Sequence, residues 1–205
     1  MNWFNRMLSR IRNFFRKKPK PGVEDGVKDP VTQKEFKYNW GFIVPHTKRA
    51  GGAVSREKGI NEYEYGLKLV KLLKWPWDTR DKGGVFGAAS RLRKKGVNAT
   101  IEPHKNAFNG KAHGFELLVM KGDDLSGEVA RHICEAFQEK YPNRKLRYDN
   151  GIKWSKPGDR GYGNLKAAKD AGIDVVILSE SFFIDNPKEW ITHQEMAKFW
   201  RDVLI

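Results

Sequence analysis

An α/β fold, with a largely parallel twisted sheet flanked by helices, is what this sequence predicts, and three observations predict it. Strand-like and helix-like stretches alternate from about residue 36 to the end of the chain. The run Ile173-Asp174-Val175-Val176-Ile177-Leu178 is rich in β-branched residues, the pattern of a strand buried on both faces. Between such strands lie helical segments long enough to return the chain across a parallel sheet.

Residues 1–18 read as a basic amphipathic helix. Trp3, Phe4, Met7, Leu8, Ile11, Phe14 and Phe15 recur at steps of three and four, with arginines between them. The segment lacks the apolar core of a signal peptide and is too charged to span a bilayer. As a helix from Trp3 to Lys18 it would be about 24 Å long. It suits either an anionic membrane surface or a protein surface, because the periodicity is the same for both. Pro19, Pro21, Gly22, Gly26 and Pro30 then punctuate a polar linker over residues 19–35. The folded domain is expected over residues 36–205.

Within it, Gly41 to Pro45 is a short apolar strand, and Asn61 to Lys74 is a helix carrying Leu67, Val70 and Leu73 on one face. Trp75 to Thr79 reads as a strand weakened by Pro76. Val85 to Lys95 is helical, Val97 to Pro103 and Phe115 to Met120 are extended, and Leu125 to Tyr141 is helical. Residues 149 to 163 read as a loop rich in glycine, lysine and tryptophan. Leu165 to Ala171 is a short helix before the buried strand, and Lys188 to Val203 closes the chain as a helix.

The formal charge of +14 is unevenly placed: residues 1–20 hold seven basic residues and no acid. Such a balance calls for an anionic partner, a membrane surface or an acidic wall polymer reached through residues 1–20. Nucleic acid is not expected, because the aromatic residues there form one stripe rather than a stacking platform. The lone Cys134 excludes an internal disulfide and a cysteine-based zinc knuckle, so any metal site must use His, Asp and Glu.

His46, His104 and Glu180 each fall at the C-terminal end of a strand, the edge where ligands gather in such sheets. Glu62, opening the first helix, reaches the same edge if the loop from Thr47 to Asn61 folds back. Two imidazoles and a carboxylate leave a tetrahedral zinc one open position, as in a hydrolytic site. Glu64 competes with Glu62, but residues two apart on a helix point to different faces, so only one can meet the histidines. Glu102, two residues before His104 on one strand, points to the same side and is placed to orient that ring. His113 sits in a loop near the site. His132 and His193 lie on helices, where packing or surface roles are expected, and Cys134 reads as a small buried apolar residue.

The order His46, Glu62, His104-Lys105-Asn106-Ala107, Gly114-Phe115-Glu116, Asp159-Arg160-Gly161 and Glu180-Ser181-Phe182-Phe183-Ile184-Asp185-Asn186 resembles the zinc-dependent N-acetylmuramoyl-L-alanine amidases, cell-wall enzymes of bacteria and phage lysins. The resemblance runs from about Trp40 to Leu204. It implies that His46, Glu62 and His104 bind Zn2+, with Glu62 preferred to Glu64, and that Glu180 is the catalytic acid and base. It implies hydrolysis of the amide joining N-acetylmuramic acid to L-alanine, and Asn106, Glu116, Asp159 and Arg160 join Glu102 as groups expected to position substrate or support the ligands. Glu116 is expected near His104 on the adjoining strand. Two departures touch substrate detail: Thr47-Lys48-Arg49-Ala50 stands between His46 and the Gly51-Gly52 pair, and Pro103 and Lys105 flank His104. Peptidoglycan as partner and action at the cell wall or periplasm follow from the same likeness; the basic amphipathic start without a signal peptide suits a phage lysin or virion-associated protein. A zinc carboxypeptidase acting on wall peptides and a silent wall- or membrane-binding module are the competing expectations.

Overall fold

In the computed structural model of the chain, residues 38–204 are described; the helix expected over 1–18 and the linker over 19–35 lie outside them. Eight strands and five α-helices follow in order: β1 (Trp40–Val44), β2 (Val54–Ser55), β3 (Ile60–Asn61), α1 (Glu62–Leu72), β4 (Trp77–Thr79), α2 (Gly84–Lys94), β5 (Ala99–Asn106), β6 (Glu116–Met120), α3 (Asp124–Lys140), β7 (Ile152–Ser155), α4 (Tyr162–Asp170), β8 (Val175–Phe183) and α5 (His193–Val203). Six of the strands form one sheet in the order β4-β1-β5-β8-β6-β7. Every pairing in it is parallel except β6 against β8. The mostly parallel α/β reading therefore holds.

Strand alternation sorts side chains onto two faces. Phe42, Val44, Ile101, Val175 and Ile177 point into a large core under α1, α3 and α5. Ile43, Leu118, Val176 and Leu178 point into a smaller one under α2 and α4. Each fully buried Leu, Ile, Val or Phe side chain contributes about 1.5–3 kcal/mol, so a sheet covered on both faces is where this chain gains its stability. Cys134 belongs to the larger core, and burial pushes its thiol up to about 12, which makes it inert at neutral pH.

The structure revises four expected elements. β8 does not stop at Leu178; it continues through Ser179-Glu180-Ser181 because those residues pair with Pro103, His104 and the start of β6. Glu180 and His104 thus lie inside paired strands rather than after them. The expected loop over 149–163 contains β7, a four-residue edge strand beside β6. The last helix starts at His193, not Lys188. Thr192 caps it, its hydroxyl accepting from Glu195 N while Glu195 reaches back to Thr192 N, and Pro187–Glu189 forms a separate 3-10 turn. Finally, β6 lies between β8 and β7, so Glu116 pairs with Glu180 rather than adjoining His104's strand. Pro76 stands just before the edge strand β4, where its missing N–H costs no ladder bond.

Candidate metal centre

Four elements deliver the site. β1 ends at Val44, and Pro45 turns the chain so that His46 adopts a left-handed backbone with φ 62°, a conformation non-glycine residues hold only where the surroundings enforce it. The loop after it does fold back. Thr47 and Ala50 exchange backbone hydrogen bonds of 3.2 Å, and Asp81 Oδ1 accepts from Lys48 N at 2.9 Å. The four residues separating His46 from Gly51-Gly52 thus form a closed turn, and Gly52 returns to the side of His46. The β2–β3 ribbon and the bonds Glu62 N to Ala53 O and Tyr63 N to Gly51 O, both 2.9 Å, then seat the first turn of α1 beside it.

Glu62, the first residue of α1, turns inward and is buried. Its Oε1 accepts from Ala53 N at 2.8 Å and its Oε2 from Lys105 N at 3.0 Å. His46 Nε2 lies 3.2 Å from Oε1, and His104 Nδ1 3.1 Å from Oε2. The two imidazole rings meet edge to face with centroids 4.7 Å apart. Burial works against charge on Glu62, but the His104 and His46 rings outweigh it and hold the carboxyl far below its usual range. Glu64 points elsewhere: it is exposed and completes the capping box of α1 with Asn61.

His46, Glu62 and His104 offer ligand atoms within 4.8 Å of one another, a cluster that could hold a metal ion. Ligands on a tetrahedron around zinc at about 2.0 Å lie about 3.3 Å apart, close to the His–Glu separations here. Two more observations fit a cation. Among the described residues, His46 Nε2 is a buried polar atom without a hydrogen-bond partner although it faces Glu62. Gly52, at φ +78°, leaves a hollow there: a Cβ at that residue would sit 2.4 Å from His46 Nε2 and 2.8 Å from Glu62 Oε1.

Behind His104 stands Glu102, whose Oε1 lies 3.1 Å from His104 Nε2, an ion-pair contact in which, among the described residues, Nε2 has no aligned hydrogen bond. Arg80 Nη1 donates to that oxygen at 3.0 Å and Asn164 Nδ2 to the other at 3.1 Å. Burial alone would lower the His104 ring, but Glu102, Glu62 and Glu180 around it hold it up to about 10 in the metal-free chain. A carboxylate on the far side of the ring favours its charged form and biases its orientation. Arg80 and Asn164 escape sequence reasoning, since nothing in their types or spacing marks them.

Beside His104 in the sheet lies Glu180, which is buried. Burial is the chief force on it, reinforced by Glu62 and Glu116 and opposed by His104 and Arg160, and its carboxyl is pushed up to about 7. Arg160 Nη2 lies 3.1 Å from Glu180 Oε1, whereas among the described residues Oε2 has no hydrogen-bond partner. The same guanidinium donates to Asn106 Oδ1 at 2.9 Å, and Asn106 Nδ2 donates to Glu116 Oε1 at 2.7 Å. Glu116 reaches this edge because β6 runs against β8, bringing its first residue opposite Glu180. Arg147, unmarked in the sequence, also reaches Glu116 Oε1 at 3.1 Å. Asp159 is not among these groups; its carboxylate accepts from Lys156 N at 2.9 Å and shapes the preceding turn. His113 is exposed in the loop before β6. His132 lies on α3, and His193 on α5 stacks on Tyr65 with centroids 4.2 Å apart.

No protein-family model matches the sequence, nor does any curated protein. Solved structures do. The CwlD amidase from Clostridioides difficile, solved in complex with the GerS lipoprotein, superposes with TM-score 0.61 at 18% identity, over 82% of this chain and 95% of that one. The catalytic domain of the CD27L endolysin targeting the same species gives 0.59 at 22%, over 82% and 96%. The catalytic domain of CwlV, an N-acetylmuramoyl-L-alanine amidase from Bacillus (Paenibacillus) polymyxa var. colistinus, gives 0.55 at 16%, over 80% and 98%. The cluster described above thus sits in a chain with the fold of N-acetylmuramoyl-L-alanine amidase catalytic domains.

Proposed function

We propose that the protein is a zinc-dependent N-acetylmuramoyl-L-alanine amidase that hydrolyses the amide joining the lactyl group of N-acetylmuramic acid to L-alanine in peptidoglycan. The observation that carries this reading is the His46–Glu62–His104 cluster beside a buried Glu180, in a fold shared with amidases and with an endolysin catalytic domain. His46 Nε2, a Glu62 oxygen and His104 Nδ1 are the atoms that would hold zinc. When bound, zinc supplies Lewis-acid polarisation of the scissile carbonyl and activates a water near neutral pH.

The chain's own groups do the rest. Glu102 keeps the His104 ring in the orientation that leaves Nδ1 toward Glu62. Arg160 ties down Glu180 Oε1, so the unpartnered Oε2 is the atom that takes a proton from the attacking water and returns it to the departing amine. Asn106 and Glu116 hold Arg160 in place. A carboxyl poised near 7 suits both directions of transfer, and a cation in the cluster would favour its charged form.

Mass spectrometry of digested muropeptides tests the reading. Release of intact stem peptides beginning with L-alanine supports the amidase; peptides shortened from their C-terminal end would make the protein a carboxypeptidase, and an unchanged digest with zinc supplied would make it a binding module. The site of action is then the cell wall, and a lysin role fits the endolysin neighbour and the net charge of +14, which attracts anionic wall polymers and membrane surfaces.

Gly52 yields a direct prediction. Gly52→Ala places a methyl against His46 Nε2 and strains a left-handed backbone. The variant is expected to bind zinc at least about tenfold more weakly, measured by competition with a chromophoric chelator. Unchanged affinity would show that the hollow beside His46 is not where the cation sits.

A further inference from the structure

We propose that Arg147 and Arg160 form a two-guanidinium clamp for a carboxylate of the substrate, so that the site takes peptides bearing a free carboxylate close to the scissile amide. This deepens the amidase reading and rests on it for the identity of the peptide.

Both guanidiniums converge on one oxygen: Arg147 Nη1 lies 3.1 Å and Arg160 Nη2 3.5 Å from Glu116 Oε1. Glu116 is fully buried, and Asn106 already donates to that same oxygen. Each arginine is anchored through a single nitrogen, since the further contacts of Arg160, to Asn106 and Glu180, also use Nη2. Among the described residues the other N–H groups of both side chains have no partner, and the side chains are 30% and 59% exposed. Three buried groups, Glu116, Asn106 and Glu180, therefore hold two cations at the rim with their remaining donors open to a ligand.

Arg147 is built in rather than draped over the surface. Its guanidinium lies 5.3 Å from the Tyr148 ring centre and 5.1 Å from that of Phe183. Its stem passes so close to Gly114 that a Cβ there would sit 2.8 Å from Arg147 Cγ. Its main chain is stitched to the start of β6 through Arg147 N to Phe115 O at 3.0 Å. A planar fork of donors fixed in this way matches a carboxylate in two-point contact and loses little freedom on binding it. Lys153, its Nζ 5.7 Å from the Tyr148 ring, adds a third positive charge on the same side. The competing explanation is that Arg147 only neutralises Glu116.

The test uses metal-loaded full-length protein and two synthetic N-acetylmuramoyl peptides, identical except that the carboxylates are free in one and amidated in the other. The expected wild-type preference in kcat/KM for the free form is roughly ten- to a hundredfold. In Arg147→Gln the ratio falls toward one, and Arg147→Lys keeps an intermediate ratio. A wild-type ratio near one, or an Arg147→Gln variant that slows both peptides by the same factor, overturns the clamp while leaving the amidase reading intact. Calorimetric binding of both peptides to Glu180→Gln, with and without Arg147→Gln, separates the remaining cases. Binding that depends on the carboxylate and on Arg147, in a protein whose wild type cleaves neither peptide, sinks the amidase reading and keeps the clamp; neither binding nor cleavage removes both.

Discussion

Glu180→Gln is expected to lower kcat about 10²- to 10⁴-fold, the range for loss of a general acid and base, and at the same time to stabilise the metal-free protein at alkaline pH. The second effect follows from burial. The carboxyl has an ordinary value of 4.5 and is raised to about 7 in the fold. Below about pH 4.5 it is protonated in folded and unfolded chains alike and costs the fold nothing. Between there and about 7 the unfolded chain releases its proton first, so stability declines as pH rises. Above 7 the loss levels off at roughly 3 kcal/mol. Glutamine removes that pH-dependent loss. Thermal melts with chelator at pH 4 and pH 8 check this: the variant should melt several degrees above wild type at pH 8, and that gain should be absent at pH 4. An equal offset at both values would mean that Glu180 is not held protonated by its surroundings.

His46→Ala and His104→Ala are both expected to lose stoichiometric metal, but only the second should unfold easily. His46 is partly exposed and leaves behind a Glu62 that still accepts two backbone N–H groups. His104 is buried between Glu62 and Glu102, and in the metal-free chain it carries the charge that balances them. Removing one partner of a buried ionic group costs on the order of 3–5 kcal/mol. Elemental analysis of the purified variants, paired with urea unfolding in chelator, separates the two effects. Metal retained at full occupancy in either variant would remove that histidine from the ligand set, and equal unfolding midpoints would contradict the charge-balancing role of His104.

The central strands and the convergence of His46, Glu62, His104 and Glu180 could be read from residues because each depends on a local pattern: an apolar run, a helix start, a polar residue where the run ends. Other features had no such pattern. The outer half of β8 is Ser-Glu-Ser, which looks like a loop until its partners in β5 and β6 are known. β7 is short and lies at an edge, so it needs few apolar residues. The reversed direction of β6, which brings Glu116 opposite Glu180, is a property of connectivity and leaves no trace in composition. Arg80, Asn164 and Arg147 act through partners 22, 62 and 31 residues away, and each taken singly is an ordinary polar residue. The four-residue interruption before Gly51-Gly52 looked like a disturbance of the ligand loop, but a turn closed on itself occupies no length along the path, so the glycines recover their place.

The grip on Glu62 has a consequence for how this site tolerates change. Both oxygens of that carboxylate are fastened by main-chain N–H groups, those of Ala53 and Lys105. The fastening is therefore indifferent to which side chains occupy those two positions, and drift there leaves the anchor in place. Proline alone, which has no N–H to give, would cut one of the two lines.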